Sequence, residues 1–335
     1  MTKAQGHVYR WDLDKTYLET DFDSLAGLVR TALQSAGEKA NVPGTAALMR
    51  ELRVAPDGTR NRIHVVSGSP RQMRRVLEQK LRMDGADVDS LTLKPNVLNA
   101  LKLRFRALKD QLGYKLPALL ESRAQLGEGA SETCFGDDAE MDGVVYRLYA
   151  DICAHRVRGP ALDTVISAAR LYPDQADRIR RAAAALPPAD PVQRILIHLD
   201  AGSPTGRFVP LGPRVVPTFD TFQAALVVYG DGNLTLDGVA RVTDEMTTAY
   251  GYTLARLEGS LADAARRGIV SSATAESAAA RMGLAAPPPA EPRAAEEPDV
   301  DYVSVLADVR EYHAARKRDR HRRPSVRNLL WRDDG

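Results

Sequence analysis

Three short runs of β-branched and aromatic residues constrain this chain more than any other feature. HVYRWDL (residues 7–13), RIHVVS (62–67) and ETCF (132–135) each end in a polar or glycine-containing turn. Helical spacing separates them. Leu25, Leu28, Val29, Ala32 and Leu33 predict a helix over 23–38, residues 45–53 a second, and the basic stretch 71–83 a third. A charged amphipathic stretch spans 94–126, and 143–152 reads as helix again. Parallel strands need crossover connections, usually helices, so this alternation predicts an α/β fold: a Rossmann-like core with a mostly parallel sheet flanked by helices.

The second half reads differently. Residues 155–190 are Ala/Arg-rich and predict a helical insertion, after which RILIHL (194–199) predicts another strand of the same sheet. Residues 202–217 read as Gly/Pro-rich loop, 219–229 as an apolar helix or strand, and 236–267 as a long helical stretch. The expected organisation is a core over 1–200, a mainly helical accessory region over 201–284, a Pro/Ala-rich linker over 285–298 and a basic tail over 299–335.

With 335 residues, 44% of them hydrophobic, the chain has material for a sizeable core, which excludes wholesale disorder. Its net charge of +2 points to no partner, so any electrostatic argument has to come from local clusters. Two cysteines, Cys134 and Cys153, supply neither a disulfide framework nor a tetrahedral zinc site. No apolar leader and no run of about 18 apolar residues is present, so the expected location is cytoplasmic, with peripheral membrane contact at most.

The chemistry lies where the strands end. The first runs into Asp12-Leu13-Asp14-Lys15-Thr16, the second into Ser67-Gly68-Ser69-Pro70, and the third into Gly136-Asp137-Asp138 with Asp142 beyond; Lys115 precedes the third. In an open parallel sheet ligands bind past the carboxyl ends of the strands, so these groups are expected in one crevice. Asp12 and Asp14, two apart on a strand, fall on one side. Clustered carboxylates repel unless a cation is present, and Mg²⁺ takes a few carboxylate oxygens together with phosphate. One carboxylate can attack phosphorus and the other handle protons, while a hydroxyl and an ammonium hold the phosphoryl oxygens. Each piece alone is common: DxD as an acidic turn, SGSP as a strand-to-helix turn, a lysine as a solvated side chain. Their order, each behind a strand, is what makes them a site.

These residues resemble the motifs of the haloacid dehalogenase superfamily. Asp12 to Thr16 is similar to its DxDxT motif, Ser67 to the second motif, Lys115 to the third, and Gly136-Asp137-Asp138 with Asp142 to the fourth. VVSGSPRQM, YKLPALLESR and FGDDAEMDGVVYRLYADI resemble, more narrowly, the catalytic domain of actin-patch-associated phosphatidate phosphatases, over about residues 5–155. Lys15 departs from that pattern, which usually has a small or acidic residue there.

The resemblance implies a Mg²⁺-dependent phosphatase working through an aspartyl-phosphate. Asp12 would be nucleophile and metal ligand, and Asp14 general acid/base with its carbonyl on the metal. Ser67 and Lys115 would bind phosphate, joined by the backbone N–H groups of Leu13 and Gly68. Asp137 would be the main fourth-motif ligand, with Asp138 and Asp142 competing for the second place. The expected substrate is a phosphomonoester, either a phosphatidate-like lipid at a membrane surface or a soluble metabolite; the rival from another class is a non-catalytic binding module. Neither interval after the first two motifs has room for a large cap, which suits an open site; alternatively residues 200–280 fold back as a lid. The basic run ARKRDRHRR beside Leu329, Leu330 and Trp331 is a candidate contact for an anionic surface, and no nucleic-acid partner is expected.

Overall fold

The computed structural model describes residues 6–19, 37, 39–94, 108–126, 129–293 and 296–322. The expected helix over 23–38 falls largely outside them, as do residues 95–107 of the charged amphipathic stretch, the side chains of 316–323 and the apolar Leu329, Leu330 and Trp331. In chain order the elements are β1 (Val8–Trp11), α1 (Thr45–Glu51), β2 (Arg62–Pro70), α2 (Arg74–Met83), β3 (Ser90–Lys94), α3 (Leu108–Ala124), β4 (Glu132–Asp137) and α4 (Asp142–Cys153). There follow α5 (Pro160–Ala169), α6 (Pro173–Ala184), β5 (Val192–His198), β6 (Val215–Thr218), α7 (Thr221–Gly230), α8 (Leu236–Tyr250), α9 (Leu254–Arg266), α10 (Ser272–Met282) and α11 (Tyr302–Arg322).

The strands form one six-stranded sheet in the order β3-β2-β1-β4-β5-β6, and every pairing is parallel. The fold is therefore α/β, a Rossmann-like sheet with helices on both faces. β1 lies inside it and all four of its residues are buried, as expected when both faces are covered. Tyr9 and Trp11 point into a core built with α1, α2 and α7–α10, where Trp11 stacks on Phe135 of β4 at 4.0 Å between ring centroids. The opposite face, with Val66, Cys134, Ile195 and Ile197, is covered by α3–α6 and α11.

Several features depart from the sequence expectation. β3 went unread: it is a short edge strand, behind an acidic stretch, whose side chains alternate buried and half-buried. β6 lies within the expected loop; it carries Pro217, which an edge strand tolerates because one side needs no hydrogen-bond donor. Residues 201–284 are not an accessory unit or a lid. They add β6 to the sheet and α7–α10 to one face, so that Val216, Phe222 and Leu284 share a hydrophobic cluster with Tyr9 and Trp11.

The segment 285–298 is not a free linker either. Arg293 donates to the Val215 carbonyl at 2.9 Å, and Glu297 pairs with Arg147 and, at 3.1 Å, with Arg214. The tail begins with α11, whose Tyr302 and Leu306 are buried and which packs on α5. No helix among the described residues is long and apolar enough to cross a membrane.

Candidate active site

Three strand ends and two helices deliver the site. The ladder runs one residue past β1, with the Asp12 N–H donating to the Phe135 carbonyl at 2.8 Å, so Asp12 projects from the carboxyl edge beside β4. The chain then turns tightly. Lys15 takes a left-handed φ of 63°, its N–H donates to the Leu18 carbonyl, and Leu18 N–H donates back to Leu13. This turn brings Thr16 Oγ1 to 3.3 Å from Asp12 Oδ2. Lys15 itself reaches Asp200 beyond β5, at 3.4 Å.

β2 contributes two hydroxyls. Its pairing with β3 slips between Ser67 and Pro70, leaving Gly68 and Ser69 as extra residues in the ladder. Ser67 and Ser69 both donate to Asp14 Oδ2, at 2.9 and 2.8 Å, and the Ser69 N–H donates to Ser67 Oγ at 2.9 Å. A Cβ built on Gly68 would meet nothing within 4 Å, so the backbone there borders open space.

Lys115 projects from α3 into full burial. Its ammonium lies 2.8 Å from Asp12, 2.8 Å from Glu140 and 2.5 Å from Asp142. Asp137 ends β4, and its Oδ1 accepts the N–H groups of Ala139 and Glu140 at 2.6 and 2.9 Å. Its Oδ2 is buried with no hydrogen-bond partner among the described residues. Asp142 opens α4 and accepts the Asp137 N–H at 3.3 Å. This close approach requires glycine at 136, where a Cβ would stand 2.4 Å from that of Asp142.

The structure brings Asp12, Asp14, Ser67, Lys115, Asp137 and Asp142 together, with Gly68 at the margin. Asp138 is turned elsewhere. Its two oxygens accept the N–H groups of Ala201 and Ser203 at 2.6 and 2.7 Å, so it caps the loop leaving β5 instead of joining the cluster. Glu140 stands in the place expected of it. One oxygen each from Asp12, Asp137, Glu140 and Asp142 lies within 4.8 Å of the others, an arrangement able to hold a metal ion. The carboxylate of Asp14 is outside that set, committed to the serines. Sequence reasoning missed Glu140 and Ser69. The signals were an acidic residue between Asp138 and Asp142, and a second serine at strand spacing from Ser67.

Compared with protein-family models, curated proteins and solved structures, the chain matches none of them.

Electrostatically the cluster is short of positive charge, with four carboxylates gathered around one ammonium among the described residues. Burial pushes the Asp12 carboxyl up; Lys115 pulls it back, and Asp142, Glu140 and Asp137 raise it again, leaving it well above the usual range. Asp137 is raised by burial and by Asp142 and Glu140. Burial also lifts Asp14, to about 6, against the hydrogen bonds from Ser69 and Ser67. Lys115 loses by burial but gains more from Asp12, Asp142 and Glu140, so its ammonium is held well above its ordinary value. A cation placed among the carboxylates would reverse their shifts.

The donor set fits a hard divalent cation: every candidate ligand is a carboxylate oxygen, and Asp137 Oδ2 is an orphaned buried acceptor. These residues could hold a metal ion.

Proposed function

We propose that this chain is a Mg²⁺-dependent phosphomonoester hydrolase that works through an aspartyl-phosphate on Asp12. One observation carries the reading. A fully buried lysine, two aspartates two residues apart on one strand end, and an acidic cluster with an orphaned oxygen converge at the carboxyl edge of a parallel sheet.

Asp12, Asp137, Glu140 and Asp142 are the residues that would hold the cation, joined by the Asp14 carbonyl. When bound, it neutralises their crowded charge and that of the substrate's phosphoryl oxygens. Lys115 and Ser67 bind the phosphoryl oxygens, and the Gly68 backbone borders the space they occupy. An Asp12 oxygen forms the bond to phosphorus as the bond to the leaving oxygen breaks, its electron pair staying with that oxygen. Asp14 gives the leaving oxygen a proton. Water then attacks phosphorus, the Asp12–phosphorus bond breaks, and Asp14 takes the water's proton, returning the enzyme with free phosphate.

The resemblance of residues 5–155 to phosphatidate phosphatases makes phosphatidate in mixed micelles the first lipid to test, with glycerol phosphate and sugar phosphates as the soluble contrast. The decisive assay is phosphate release from p-nitrophenyl phosphate with Mg²⁺ and with EDTA. Mg²⁺-dependent turnover is expected, and Asp12→Asn should bring it to background. Equal turnover by wild type and Asp12→Asn would refute the reading.

A further inference from the structure

Two serine hydroxyls converge on one oxygen of Asp14. Each carries a single proton, and in this structure both protons go to Asp14 Oδ2. Ser67 cannot give its proton to Asp14 and to a phosphoryl oxygen at once. Both serines flank Gly68, where the backbone borders open space, and Ser67 is the one the proposed function places on the phosphate. Ser69 is buried as well, and the next residue, Pro70, fixes the chain with a φ of −72° and pairs in register with Lys94.

We propose that Ser69 is the positioning residue that keeps Asp14 aimed during turnover, while Ser67 turns its proton to the phosphate. The inference rests on the phosphohydrolase reading and adds to it a residue that reading does not use. Two donors on Oδ2 fill that oxygen, so a proton carried by Asp14 sits on Oδ1. Once Ser67 has turned away, Ser69 is the donor among the described residues that preserves this arrangement. Without it, a buried carboxyl loses the remaining serine donor on Oδ2 and is less firmly held. The step affected is leaving-group protonation. The Asp12–phosphorus bond forms, the bond from phosphorus to the leaving oxygen breaks, and the Oδ1 proton completes the alcohol or phenol.

The test compares phenyl phosphate, whose leaving group needs that proton, with dinitrophenyl phosphate, whose leaving group does not. It uses the full chain with Mg²⁺. Ser69→Ala should lower kcat/KM on phenyl phosphate by roughly 100-fold but on dinitrophenyl phosphate by no more than about 3-fold. Ser69→Thr, which keeps the hydroxyl, should recover most of the difference. Ser67→Ala should lower both substrates together, because it weakens the grip on phosphate. Should Ser69→Ala not fold, Ser69→Cys, of similar size but a weak donor, is expected to show the same contrast. Equal losses on both substrates, or none, overturn the proposal and leave the phosphohydrolase reading standing. A wild type that hydrolyses neither ester sinks that reading, and the proposal with it.

Discussion

Lys115 illustrates how much can rest on one side chain. It is fully buried, and its three carboxylate partners would otherwise face one another without a cation. Removing one partner from a buried ion cluster typically costs about 3–5 kcal/mol, so Lys115→Met should destabilise the protein on that scale as well as abolish turnover. Denaturant melts with and without Mg²⁺ check this, and Mg²⁺ should recover part of the loss. A variant as stable as wild type in EDTA would mean that the carboxylates are relieved by protonation alone. Asp138 and Glu140 give a second residue-level test. Glu140→Gln should weaken Mg²⁺ binding on the order of 10-fold, whereas Asp138→Ala, which removes a loop cap, should leave affinity close to wild type. Calorimetric titration with the reverse order would return Asp138 to the metal.

At the scale of elements, β1 and β4 are locked by a buried network below the site. Arg10 donates to both oxygens of Glu132, at 2.5 and 3.2 Å, and Glu132 also accepts from Tyr149 and Arg123. Burial would raise the Glu132 carboxyl, but Arg10 and these donors hold it below the usual range. Glu132→Ala would strand the Arg10 guanidinium in the core and cost about 3–5 kcal/mol in chemical unfolding, with no direct effect on the site.

The entry to β1 is sensitive to acid. Burial lowers His7 from 6.5 to about 4. Between those values the unfolded chain binds a proton that the folded chain does not, so stability falls as pH drops through that window and is full above it. Thermal melts of wild type against His7→Asn should show the wild type losing its advantage from pH 6.5 toward 4. A constant difference would mean that His7 charges freely in the fold. Elements also set the limit of sequence reading. β1, β2, β4 and β5 declared themselves by β-branched runs, whereas β3 and β6 are short edge strands. Their pattern is too brief for periodicity, and only pairing with β2 and β5 makes them strands.

For the whole molecule, the surprise is the C-terminal region. Arg293 and Glu297 tie the chain to the sheet edge, and α11 buries Tyr302 and Leu306 against the helical face, with the Tyr302 hydroxyl donating to Asp151 at 2.5 Å. Further along α11, Tyr312 meets Ser203 at 3.3 Å, in the loop capped by Asp138. Leu306→Ala should therefore cost about 2–5 kcal/mol, as a buried leucine does in any packed core. Truncation after residue 284 should lower Tm by several degrees. An unchanged Tm on truncation would show the removed segment to be a passenger.

The sequence by itself determined the parallel α/β plan and the residues that reach the site on strand ends: Asp12, Asp14, Ser67 and Asp137. Strand periodicity and the carboxyl-edge rule are local and general, so they can be read without coordinates. Tertiary structure alone decided which acidic side chain of the β4–α4 turn faces Lys115 and which caps a distant loop. Successive turn residues diverge in direction, and Asp138 finds its partners in a loop some sixty residues away along the chain. It also decided that Ser69 joins Ser67 on Asp14, through a register slip visible only against β3, and that the apparent linker and tail are part of the core. Those outcomes depend on contacts between segments remote in sequence, which composition and spacing do not encode.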